Sequence, residues 1–171
     1  MSRPAHLHPL FAIALVTLLI GACNYGPAAI KPPSIDPDGS AEQAMEMYDA
    51  NGDGRIAADE LEKAPGLKAA LKRMDSNADQ AVDADEIASR IRIWQGTRLG
   101  VLPLGLTVIF DGRALEGATV TLEPESFLGS DIKASIATTD EFGGRGPSVP
   151  KEQRPDPERT PSGVQLGLYR V

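Results

Sequence analysis

The stretches DANGDGRIAADE at residues 49–60 and DSNADQAVDADE at residues 75–86 decide how the chain is built. Each has an aspartate first, an asparagine third, an aspartate fifth and a glutamate twelfth. The flanks repeat with them, offset by about 26 residues: Met45 maps onto Leu71, Tyr48 onto Met74, Ile56 onto Val82 and Leu61 onto Ile87. A single D-x-N-x-D-G also fits a solvated Asx-type turn. Two in tandem, with the apolar flanks in register, read as a duplicated helix–loop–helix unit with Pro65-Gly66 breaking the chain between copies.

Both stretches resemble EF-hand calcium loops, and the resemblance implies two Ca2+ sites. Calcium is a hard cation that takes six to eight oxygens. In the first loop the expected ligands are Asp49, Asn51, Asp53, the Arg55 carbonyl and both oxygens of Glu60. Gly54 permits the sharp turn, and Ala57 leaves the ninth position to water. In the second they are Asp75, Asn77, Asp79, the Ala81 carbonyl, Asp83 directly or through water, and Glu86. Gln80 stands where the family prefers glycine, so a side chain is expected at positive φ, at a cost of about 1 kcal/mol. The loops lie closer together than in calmodulin-like pairs. They are similar in this to the compact pairs of bacterial envelope proteins, with short helices and no large target groove. Met45, Met47 and Met74 read as plain core.

Upstream, Arg3 precedes the apolar run LFAIALVTLLI at 10–20, which suits a signal peptide and is too short to span a bilayer. Ile20-Gly21-Ala22-Cys23 resembles the lipobox of bacterial lipoproteins, with Ile20 in place of the usual leucine. The resemblance implies a signal peptide over 1–22 and a mature chain anchored by lipid on Cys23, its only cysteine. The expected place is the bacterial cell envelope, at the outer membrane on its periplasmic or surface side. Cleavage removes His6, His8 and Arg3, leaving no imidazole and moving the formal charge from -7 to -8. Nearly all the excess acid falls between Asp36 and Trp94, which suits divalent cations and argues against nucleic acid.

Residues 23–39, with Pro27, Pro32, Pro33 and Pro37, read as a flexible tether. Ser40, with Gln43 three residues on, is the expected first helix cap, opening an EF-hand pair over 40–97 whose last helix ends at Gly96 and Gly100. From 102 to 171 the period changes to two. Strands are expected around 104–110, 118–123, 132–138 and 164–169, with a turn at Asp111-Gly112 and a long polar surface loop over 141–163. The pieces Asp111 to Val120, Thr139-Asp140-Glu141-Phe142-Gly143 and Gly167 to Val171 resemble carboxypeptidase-regulatory-like, or transthyretin-like, β domains. Ala114 replaces the proline usual there, and the closing strand is cut short where the sequence stops.

The expected fold is therefore α+β: an all-α EF-hand pair and a separate small antiparallel β-sandwich. No catalytic motif is present, and Glu123 and Glu125, flanking Pro124, read as a solvated strand face rather than an acid–base pair. The expected function is calcium binding with a structural or envelope-interaction role, an envelope protein or polysaccharide being the kind of partner expected. The alternatives are a calcium-responsive sensor, or an adhesion or accessory protein acting through the β domain.

Overall fold

The computed structural model describes residues 31–154, 156–158 and 160–171. The expected signal peptide over 1–22 and the expected lipid anchor at Cys23 lie outside these. Four α-helices come first: α1 (Pro37–Tyr48), α2 (Ala58–Lys63), α3 (Pro65–Met74) and α4 (Ala84–Thr97). Between them sit β1 (Ile56–Ala57) and β2 (Ala81–Val82), which pair antiparallel with Ile56 opposite Val82. No helix among the described residues is long and apolar enough to cross a membrane.

The remainder is β3 (Leu106–Thr107), β4 (Ile109–Phe110), β5 (Arg113–Ala114), β6 (Thr119–Pro124), β7 (Ser135–Thr138), β8 (Gly144–Arg145) and β9 (Tyr169–Arg170). They form a three-stranded sheet in the order β7-β6-β9 and two pairs, β3-β8 and β4-β5. The turn expected at Asp111-Gly112 closes the β4-β5 hairpin, both residues having positive φ (+49° and +74°). That is the handedness matching strand twist in a two-residue loop. The fold is thus α+β, with antiparallel pairing throughout.

Several local expectations are corrected. Helix α1 begins three residues before Ser40, with Asp36 as the flanking residue and Pro37 in its first turn; Ser40 is a buried interior residue. Proline fits the first turn because its missing N–H has no partner there to lose. Residues 31–39 are not all tether. Ile35 is only 5% exposed, and Gln95 Nε2 donates to its carbonyl at 2.6 Å. Burying one isoleucine side chain contributes about 1.5–3 kcal/mol, enough to hold this segment against α4. Helix α4 runs through Gly96 and stops where Arg98 turns left-handed at φ +57°. The stretch 141–163 is not a bare surface loop either: β8 pairs with β3, Ser148 bridges to Ile136, and Pro147, Val149 and Thr160 are buried.

The two halves share one core. Ala41, Ala44, Ile56, Leu67, Val82, Ile87 and Ile91 of the helical half belong to the same buried cluster as Phe127, Leu128, Ile132 and Leu168. The Tyr48 ring meets Phe127 edge-on, with centroids 6.3 Å apart. Short strands and a six-residue helix cannot bury enough apolar surface alone, so each half supplies the other's missing layer.

Candidate metal centre

The two acidic loops are bounded by α1–α2 and α3–α4 and are locked together by the β1-β2 pair. Each is wound around its first aspartate. The Asp49 carboxylate accepts N–H bonds from Gly52 (2.7 Å), Asp53 (3.2 Å) and Gly54 (2.9 Å). The Asp75 carboxylate accepts from Asp79 (3.2 Å) and Gln80 (3.0 Å). In loop one Asn51 Oδ1 accepts from Asp53 N, and Asp53 Oδ1 from Arg55 N. Asn77 and Asp79 repeat both bonds, Asp79 accepting from Ala81 N. Carboxylate acceptors for successive N–H groups are what force so tight a turn in so few residues.

The twelfth-position glutamates reach back across their loops. Glu60 Oε1 accepts from Ala50 N (2.9 Å) and Asn51 N (3.2 Å), while Oε2 accepts from Ala57 N (3.1 Å). Glu86 Oε1 accepts from Ser76 N (2.7 Å) and Ser76 Oγ (2.9 Å), and Oε2 from Asp83 N (3.2 Å). Both glutamates are buried, which is unusual for carboxylates unless they are paired or ligating. Asp83 acts as the cap of α4, accepting from Glu86 N at 2.8 Å; Ala57, its counterpart, offers α2 no side-chain cap. Arg55 bridges the loops, its Nη1 lying 3.3 Å from Asp79 Oδ2. The Ala81 amide first, then Arg55 and Asn77, hold the Asp79 carboxyl below the usual aspartate range.

The structure therefore brings Asp49, Asn51, Asp53 and Glu60 together around one loop, and Asp75, Asn77, Asp79, Asp83 and Glu86 around the other. Among the described residues no group of three or more histidine, cysteine, aspartate or glutamate side chains stands arranged to hold a metal ion. Their oxygens face loop N–H groups instead. The donor set is nonetheless all oxygen, carboxylate, amide and carbonyl, on loops already curled around it. That set fits a hard divalent cation and would suit neither a soft nor a thiophilic one.

Glu125 was missed as a structural residue. It is not on a solvated face; it is 1% exposed, whereas Glu123 is exposed. Tyr48 Oη donates to Glu125 Oε2 at 2.8 Å and Gly66 N donates to Oε1 at 3.1 Å. Arg170 Nε lies 3.9 Å from the same carboxylate. Burial first, then the Glu125 bond, raises the Tyr48 hydroxyl to a pKa of about 12. Pro65-Gly66 does break the repeat, but as the first turn of α3, and a Cβ on Gly66 would come within 2.7 Å of Glu125 Oε1. The residue that ends loop one's entering helix is thereby tied to the β half. Only a strand's phase near Pro124 could have hinted at this, and alternation does not say which face is covered. No protein-family model matches the chain, and neither a curated protein nor a solved structure is found to match it.

Proposed function

We propose that loops 49–60 and 75–86 are an EF-hand pair that binds two calcium ions in a lipid-anchored protein of the bacterial cell envelope. Asp49, Asn51, Asp53, the Arg55 carbonyl and Glu60 would hold one ion. Asp75, Asn77, Asp79, the Ala81 carbonyl, Asp83 and Glu86 would hold the other. The observation that carries the reading is the matched pair of loops. Each is curled around an aspartate, each is crossed by a buried glutamate from its twelfth position, and the two are zipped at Ile56 and Val82. The β half, read as a small transthyretin-like module, serves as structural backing, and the protein is a binding protein rather than an enzyme.

A structural role is favoured over a calcium sensor. A sensor needs helix surface to expose, and here the inner faces of the helices are packed by Phe127, Leu128, Ile132 and Leu168. Calorimetry on the mature chain should give two sites with Kd of about 10⁻⁵ to 10⁻³ M, the range of extracellular modules and weak sensors. Glu60→Gln and Glu86→Gln should each remove one site. Two unaltered sites in either variant would overturn the assignment. Ions at 100-fold saturation should stabilise the fold by about 2.7 kcal/mol per site, so chelator should lower the melting temperature. Membrane fractionation of a Cys23→Ser variant tests the anchor: release into the soluble fraction is expected, and a wild-type chain already soluble after signal cleavage refutes it.

A further inference from the structure

Away from the loops, a groove of about 280 Å³ opens between α3, α4 and the segment leading into β9. Arg73 and Arg90 line it, with Gly66, Trp94, Leu168 and Tyr169. The two arginines come from different helices and make no ion pair among the described residues, in a chain of net charge -7. By contrast Arg55, Lys68, Arg92, Lys151 and Arg170 each stand beside a carboxylate. The Arg90 guanidinium lies 5.6 Å from the Trp94 ring centroid, and its Nε is buried with no hydrogen-bond partner. A buried donor without an acceptor is costly and rare in native folds. Glu125, which accepts from Gly66 at the edge of the groove, also accepts from Tyr48 and does not line the groove itself.

We propose that this groove binds a small oxyanionic ligand, its carboxylate or phosphate held between the Arg73 and Arg90 guanidiniums. Planar guanidiniums match such groups through paired N–H···O bonds, and the Trp94 ring fixes the plane of Arg90 against its face. Pockets where two halves of a chain meet are common ligand sites, and this volume admits a molecule of metabolite size rather than a polymer. The groove shares no residue with the acidic loops, so the inference stands independently of calcium.

The test is titration of the mature chain with methyl phosphate and, separately, acetate at constant ionic strength, read by the emission of Trp94, the single tryptophan. A saturable change with Kd of about 1 mM or tighter is expected for at least one anion. The tighter anion identifies which oxyanion the groove takes. Arg73→Gln and Arg90→Gln should each weaken it about tenfold or more, whereas Arg92→Gln on the same helix should not. Arg90→Gln also removes a contact to the reporter ring, so Arg73→Gln, whose side chain is exposed, decides the matter. No saturable response to either anion, or an unchanged Kd in Arg73→Gln, overturns the proposal.

Discussion

The two acidic loops have one geometry built from two different sets of residues. Loop one reaches positive φ with glycine, at Gly52 (+73°) and Gly54 (+83°). Loop two makes the same two excursions with Ala78 (+62°) and Gln80 (+65°). A Cβ in that region crowds the neighbouring carbonyl, so loop two holds its shape under strain that loop one avoids. Loop one has its own strained residue, Ala58 at φ +40°, just where Asp83 gives loop two a helix cap that Ala57 cannot provide. The entering helices also differ. Loop one follows Tyr48, whose hydroxyl is bonded to buried Glu125; loop two follows Met74, buried and apolar. Loop one is therefore relaxed in its turn and tied to the β half, whereas loop two is strained in its turn and secured by its cap. Similar geometry in repeated units does not imply similar energetics.

The sharpest way to break this contrast is Tyr48→Phe. It removes a donor from a buried carboxylate and should cost about 1–3 kcal/mol in urea unfolding, whereas Met74→Leu, a volume-conserving swap, should cost less than about 1.5 kcal/mol. The pH dependence separates the hydrogen bond from packing. The hydroxyl pKa rises from 10.0 to about 12 on folding, so its contribution is complete below pH 10 and is lost as pH climbs toward 12. The stability difference between wild type and Tyr48→Phe should narrow over that window. A difference that stays constant from pH 9 to 12 would remove the hydroxyl from the account.

Exchanging turn residues tests the strain directly. Gln80→Gly relieves a left-handed side chain worth about 1–2 kcal/mol and gives back about 0.4–1 in chain entropy, so a net gain near 0.5–1 kcal/mol is expected. Gly54→Gln should lose a similar amount. Equal and opposite shifts in unfolding midpoint support the contrast; a loss from Gln80→Gly would show that loop two tolerates its side chains at no cost. The cap offers a change of similar size: Asp83→Ala should cost about 1 kcal/mol, and Ala57→Asp should recover part of that in α2. The smallest effect should come from Arg55→Ala. Its bond to Asp79 is exposed, so the fall in unfolding midpoint should be the least of these and should decline further with added salt.

Much of the helical half was legible in the sequence because its determinants are local. The tight winding of loop 49–60, the Gln80 excursion and the Ile56–Val82 match depend on residues within one loop or on a repeat offset visible by eye. The Asp111-Gly112 turn was legible for the same reason. Local features still escaped, among them the Ala78 excursion, because alanine carries no turn signal, and the entry of α1 at Pro37, because a proline among prolines reads as linker. The short β pieces were misjudged in extent, since alternation marks a half-buried surface without fixing where pairing stops.

The sequence by itself determined the paired acidic loops, the break between helical and alternating periods and the charge that favours a cation, because each rests on spacing within a few residues. The tertiary structure alone decided that the two halves share a core, that Ile35 docks instead of tethering, and that Glu125 is buried. Glu125 meets Tyr48 77 residues away and Gly66 59 residues away. Nothing in the local chemistry of a glutamate beside a strand's end selects those partners. They are selected by which layer covers which, and that is settled only when short elements, too small to bury their own faces, pack against one another.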